Sequence, residues 1–228
     1  MSEDIRRPAS QLGDPVQRLK RLDTCAVSDA LDKLGLSGAV SGLGPLARPR
    51  RIAGRTVTVK LGVGTPESGK PRHLGTTAVM TAQPGDVIVV EQRSGIEAGS
   101  WGGILTLSAK TRGVAGVVSD GLVRDVDEAH DYDFPVYARG ATVRTARGRI
   151  VELATNTPVR IGDVEVAPGD YVIADRSGVV FIAAAAIEQV LAAAEFIAAR
   201  EAAMAKDVLA QRPVTEVMGA NYENMLVA

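Results

Sequence analysis

Apolar and polar positions alternate along this chain with two different periods. After Asp23 and Thr24, either of which can cap a helix, Val27, Ala30, Leu31 and Leu34 follow the i, i+3, i+4, i+7 spacing of an amphipathic helix, and Gly35 is placed to end it. Over 55–61 the period changes to two: Val57, Val59 and Leu61 alternate with Thr56, Thr58 and Lys60, the pattern of a half-buried strand. Short segments bounded by Gly, Pro or Asp, most rich in β-branched residues, predict further strands at 86–90, 114–119, 135–138, 149–153, 159–166, 171–174 and 179–182. Helical spacing returns at 102–112. It returns again from 184 to about 211, where Ile187, Val190, Leu191, Ala194, Ile197, Met204 and Val208 share an Ala-rich helix. Such a helix reaches ~40 Å, longer than a compact domain of this size requires, so part of it is expected to pack on another subunit.

Residues 1–20 are polar, rich in Arg and Pro and without apolar period, which predicts a mobile arm; the remainder, 21–228, reads as one α/β domain that includes the long C-terminal helix. Gln83-Pro84-Gly85-Asp86 and Ala167-Pro168-Gly169-Asp170 each place Pro and Gly at the centre of a type II turn that opens a strand. Recurrent turn chemistry explains the similarity without a repeat.

Composition narrows the function. Lys and Arg number 26 against 27 Asp and Glu, a net charge of -1, so no global field draws the chain to nucleic acid or to an anionic membrane. Aromatic residues make up only 4% of the chain, which disfavours binding of single strands by base stacking. The apolar run 179–187 is too short to cross a bilayer, and the first 21 residues lack the apolar centre of a signal peptide; together these predict a cytoplasmic protein. One cysteine, Cys25, forbids an intrachain disulfide and is expected to behave as a small apolar residue on its helix. With it and only His73 and His130, which read as structural or surface residues, the usual zinc ligand sets are out of reach. A catalytic metal must then be held mainly by carboxylate and water, which suits Mg2+ or Mn2+.

The window most informative for chemistry runs from Ala98 to Lys110 and continues from Gly116 to Asp125. Gly99, Gly102 and Gly103 precede a helix whose free N–H groups and dipole attract a carboxylate or phosphate. A buried strand then runs through a turn at Gly121 and presents Arg124 and Asp125, a fixed cation beside a carboxylate, at its C-terminal end. Two plainer readings stand beside this one: Asp125 and Glu128 have the spacing of a helix-capping pair, and Arg124 can be a surface charge. The Glu97–Gly102 segment superficially resembles the Gly-rich loop of nucleotide or S-adenosylmethionine binders, but no βαβ alternation with a second acidic strand end is expected to follow it.

Taken in order, several segments resemble the RraA-like family, which groups class II 4-hydroxy-4-methyl-2-oxoglutarate (4-carboxy-4-hydroxy-2-oxoadipate) aldolases with regulators of ribonuclease E activity. They are Ser28-Asp29-Ala30-Leu31, Pro84-Gly85-Asp86-Val87, Trp101-Gly102-Gly103-Ile104-Leu105, Val123-Arg124-Asp125, Pro135-Val136-Tyr137-Ala138-Arg139-Gly140 and Asp175-Arg176-Ser177-Gly178. The resemblance spans about Thr24 to Glu201. It implies a swivelling β/β/α domain assembled as trimers or hexamers, with sites at subunit interfaces.

By the same resemblance, the backbone of Gly102, Gly103, Ile104 and Leu105 holds the carboxylate of a 2-oxo acid, Arg124 sits on its oxo group and Asp125 binds Mg2+ or Mn2+. Glu201, on the C-terminal helix of a neighbouring subunit, supports the metal's waters. The expected function is a metal-dependent lyase that passes through a pyruvate enolate, as an aldolase, an oxaloacetate decarboxylase or both. The alternatives are a non-enzymatic regulator that binds a ribonuclease and an enzyme of the same site design with an unrelated substrate. One departure stands out: the aldolases generally carry an acid where this chain has Gly103, which predicts weak cleavage of tertiary alcohols beside retained decarboxylation.

Overall fold

A computed structural model describes residues 13–65 and 73–219. In chain order come α1 (Pro15–Leu19), α2 (Thr24–Lys33), β1 (Ala39–Val40), β2 (Gly44–Ala47), β3 (Ile52–Gly62), α3 (Thr76–Thr81), β4 (Val87–Gln92), α4 (Gly103–Thr111) and β5 (Gly116–Val123). There follow α5 (Val126–Asp131), β6 (Val136–Ala141), β7 (Val151–Thr155), β8 (Val159–Ile161), β9 (Val164–Val166), β10 (Tyr171–Asp175), β11 (Gly178–Ile182), α6 (Ile187–Leu209) and α7 (Val214–Val217). The fold is mixed α/β with a long C-terminal helix, as the sequence predicts.

The organising element is β3. Its first residues, Ile52 to Arg55, pair antiparallel with β10, and Thr56 to Leu61 pair parallel with β4. Strand β4 in turn pairs parallel with β5, and β5 with β6, giving the overall order β1-β11-β10-β3-β4-β5-β6-β2. Because side chains alternate across a strand, β4 buries Ile88 and Val90 against α3 and α4, and Val87 and Val89 on the opposite side. There they meet Val172 and Ala174 of β10, Val179 and Phe181 of β11, and the β8–β9 hairpin. The far face of β10 and β11, with Tyr171, Ile173, Val180 and Ile182, is covered by α1, α2 and α6. Two sheet halves thus stack between two helical layers, and continuous β-branched runs such as Val87-Ile88-Val89-Val90 follow from burial on both faces.

Tertiary contacts overrule the local pattern in several places. The expected mobile arm lies outside the described residues as far as position 12, but from Pro15 the chain is a helix capped by Asp14. Leu19 is fully buried, and the Arg18 guanidinium bridges Glu188 and Glu195 of α6 at 2.7 Å each. A single turn has too few positions to show an apolar period, so only its docking reveals it. The expected strand 159–166 is two strands of a hairpin, turned at Gly162 with φ +55°. Strand β5 does not stop at a glycine turn: it continues to Val123 through an irregularity between Ser119 and Leu122. The chain also alternates strand and helix from β3 to β6, so βαβ alternation does follow the Glu97–Gly102 segment, for which the sequence predicts none with a second acidic strand end. Sequential order without reversal, however, leaves no crevice of the dinucleotide-binding kind within that run.

Helix α2 starts after Asp23, whose carboxylate accepts from the Ala26 amide, and Gly35 follows its end at φ +64°. Val27, Ala30 and Leu31 are buried, whereas Leu34 is not, and Cys25 is exposed rather than packed. In α6, Ile187, Val190, Leu191, Ala194 and Ile197 are buried. Beyond Ile197 the helix has no buried residue, Met204 included, and Leu209 is 80% exposed. No helix among the described residues is long and apolar enough to cross a membrane.

Candidate functional site

The glycine-rich loop and the Arg124-Asp125 pair come together at the carboxyl ends of β4 and β5. Gly99 bridges to Leu122 alongside β5, the Ser100 amide donates to the Leu122 carbonyl at 2.8 Å, and the Arg124 amide donates to the Trp101 carbonyl at 3.0 Å. Buried Ser100 and Ser119 share a hydroxyl hydrogen bond of 2.7 Å beneath the loop. Trp101 Nε1 donates to Thr106 Oγ1 at 2.9 Å, and that hydroxyl donates to the Gly102 carbonyl at 3.0 Å, fixing the first turn of α4 to the loop that leads into it. A site held by paired, mostly buried polar groups of this kind keeps its geometry before any ligand arrives.

Gly103 opens α4 and its amide donates to Asp125 Oδ2 at 2.9 Å. The amides of Ile104 and Leu105 have no acceptor among the described residues, so two N–H groups at the positive end of the helix dipole are open to an anion. The Ile104 side chain is 78% exposed and that of Leu105 is buried, consistent with their backbone rather than their side chains facing a ligand. Arg124 Nε lies 3.2 Å from Asp125 Oδ1. Asp125 takes φ +58°, a left-handed conformation, and does not cap its own helix. Its carboxylate turns instead to α4, so the helix-capping reading fails for the first member of the pair. Gly102 is needed for closeness rather than for conformation: a Cβ there would stand 2.8 Å from Asp125 Oδ2.

These groups line a cleft of about 490 Å³ whose other walls are His73, Leu74, Thr145, Ala146, Arg147 and Gly148. Sequence reasoning missed Arg147 and gave His73 no role. Both come from segments without periodic signal, and only the fold brings them into one cleft with Arg124. Among the described residues the Arg147 guanidinium has no carboxylate partner, and it adds positive charge to the cleft.

Glu201 is not in this cleft. It lines a second one with Asp23, Cys25, Pro49, Arg51, Asp175, Arg176 and Ser177, where burial, together with Asp23 and Asp29, pushes its carboxyl above the usual range. A role at the Arg124 site therefore requires the Glu201 of another copy of the chain.

Among the described residues no three His, Cys, Asp or Glu side chains cluster to hold a metal ion. The donor set nevertheless fits Mg2+ or Mn2+. Each Asp125 oxygen accepts one hydrogen bond and keeps a lone pair, and these hard cations commonly take one or two protein carboxylates, with water and substrate oxygens completing the shell.

Comparison with known proteins decides the family: the RraA-like pattern, described as Aldolase/RraA, matches residues 24–181. The chain belongs to the RraA-like family. It is 32% identical over 214 residues, covering 90% of this chain and 95% of the relative, to a protein of Halalkalibacterium halodurans named "Putative 4-hydroxy-4-methyl-2-oxoglutarate aldolase". Among solved structures, an uncharacterized protein of Pseudomonas syringae matches with a TM-score of 0.80 at 25% identity, over 90% of this RraA-like chain and 96% of that one. RraAS2 of Streptomyces coelicolor, described as an unusual member of the RNase ES inhibitor RraA family, matches with a TM-score of 0.69 at 26% identity, over 82% and 93%.

Proposed function

We propose that this RraA-like protein is a divalent-metal-dependent lyase that cleaves a small 2-oxo acid through a pyruvate enolate. The substrate is a 4-hydroxy-2-oxo acid, oxaloacetate or both. One observation carries the reading: the open amides of Ile104 and Leu105, the Arg124 guanidinium and the Asp125 carboxylate face a single cleft. A regulator that works through its outer surface has no need of that set.

The amides at the start of α4 would bind the substrate carboxylate, with the helix dipole favouring the anion. Arg124, steered by Asp125, would place its planar fork on the oxo oxygen, where negative charge develops as the C3–C4 bond breaks. Mg2+ or Mn2+ held by Asp125 would supply Lewis-acid stabilisation of the same charge. Trp101 and Thr106 keep the donors in place, so little reorganisation accompanies the step. Arg147 and His73, which line the same cleft, suit a second, distal carboxylate on the substrate.

The surface of α6 beyond Ile197, with Leu209 80% exposed, supports assembly of copies as a trimer or hexamer, which is also what would bring a second chain's Glu201 to the cleft. Light scattering at micromolar concentration checks this, and a monomer would contradict it. The functional reading is tested by incubating purified, Mn2+-loaded protein with a panel of 2-oxo acids while detecting pyruvate and CO2. Absence of product from every 2-oxo acid would overturn it.

A further inference from the structure

We infer that Glu152 is a positioning residue of this site, a buried carboxylate that holds Gly75, and with it His73 and Leu74, against the residues that open α4. The inference rests on the lyase reading above and deepens it. Glu152 lies in β7 on the face that also buries Ala154, and it is 8% exposed. A carboxylate in such a place costs free energy unless its oxygens are hydrogen-bonded, and both are. Oε1 accepts from the Thr155 hydroxyl, and Oε2 accepts from the Gly75 amide at 2.6 Å. Leu74 and Val151, which precede the two partners of this second bond, both line the cleft. One buried hydrogen bond thus joins two segments of the cleft wall that lie 77 positions apart in the chain.

Gly75 is the N-cap of α3, takes φ +73° and receives no side-chain cap. In a capping box the amide of the N-cap residue is bound by an acid three positions on. Here that position is Ala78, and Glu152 supplies the acceptor from a distant strand. Gly75 in turn rests on the residues that shape the anion-binding end of the cleft: a Cβ there would stand 3.2 Å from Trp101 Cζ3 and 3.3 Å from Leu105 Cδ1. Trp101 Nε1 holds Thr106 in the first turn of α4, and the Trp101 carbonyl accepts from the Arg124 amide. A shift of Gly75 is therefore passed to the open amides of Ile104 and Leu105 and to Arg124, because a close-packed core has no slack to absorb it. Glu152 touches no substrate and acts only through this contact.

The test compares wild type, Glu152→Gln and Glu152→Leu, with oxalate, a stable analogue of the pyruvate enolate, as the probe ligand in the presence of Mg2+. Gln keeps an oxygen for the Gly75 amide, whereas Leu fills a similar buried volume and offers none. Trp101 is the one tryptophan of the chain, so intrinsic fluorescence reads its surroundings directly. Glu152→Leu should shift the Trp101 emission, weaken oxalate binding ~10-fold and raise KM for a 2-oxo acid by a similar factor, with kcat within about threefold of wild type. Glu152→Gln should match wild type in each. Because coupling between two sites is reciprocal, oxalate should also slow hydrogen exchange at the Gly75 amide of wild type, a result that needs no variant and decides the matter if Glu152→Leu does not fold. Unchanged oxalate affinity and Trp101 emission in Glu152→Leu, or Gly75 exchange indifferent to oxalate, overturns the positioning role and leaves the lyase reading standing. A wild type that binds no oxalate removes the anion cradle and overturns the lyase reading, this assignment with it.

Discussion

Asp125 Oδ2 accepts the amide hydrogen of Gly103 at 2.9 Å, so one carboxylate ties the end of β5 to the start of α4. That bond aligns the cation that follows β5 with the open amides of α4, and disturbing either partner should be felt in catalysis before it is felt in stability.

Arg124→Lys tests the cation. An ammonium cannot reproduce a fork that contacts Asp125 on one side and a substrate oxygen on the other. Turnover should fall ~10²-fold, the usual cost of removing one electrostatic stabiliser, with the thermal midpoint unchanged. Near-normal kcat would reduce Arg124 to a surface charge.

Gly102→Ala tests the closeness of loop and carboxylate. The backbone at Gly102 is extended, with φ -157°, so Ala is conformationally free there, but its Cβ would stand 2.8 Å from Asp125 Oδ2 and push it away from the Gly103 amide. The expected result is a folded protein with weakened Mn2+ binding and reduced kcat. A variant equal to wild type in both would show that the Asp125 position is not critical.

Removal of metal should abolish turnover, and Mg2+ or Mn2+ should restore it, because the Asp125 carboxylate in this cleft, completed by water and substrate oxygens, suits these hard cations. Full activity after exhaustive EDTA treatment and dialysis would contradict the reading.

Glu201→Gln probes the second cleft through pH. Burial and the neighbouring Asp23 and Asp29 raise the Glu201 carboxyl above its ordinary 4.5, so its ionised form destabilises the folded chain. The penalty is absent below the unfolded value and grows as pH rises through the folded one. Chemical denaturation should therefore find the variant more stable than wild type near pH 7 and little different near pH 4. The opposite order would mean that Glu201 is stabilised by a partner, as contact with a neighbouring subunit would provide.

Local pattern alone places most of the elements with strong periods: α2, the strands around β3, β4 and β10, and α6 with its buried Ile187, Val190, Leu191, Ala194 and Ile197. It also places the charged pair after β5 and the loop that precedes α4, because Gly-rich approach to a helix start and a cation beside a carboxylate are written in neighbouring residues. The rest depends on contacts between segments far apart in the chain. Helix α1 is too short to show a period and is stable because Leu19 is buried and Arg18 is gripped by α6. Strand β5 continues past Gly121 because β6 pairs with it beyond the irregularity, which no local propensity signals. Gly103 reads in the sequence as a missing acid, yet the packing of α5 against α4 brings Glu128 into that space. Arg147 and His73 likewise become walls of the cleft through the path of the chain around it, since a side chain's neighbours across a cleft are set by packing and leave no mark on the residues beside it in sequence.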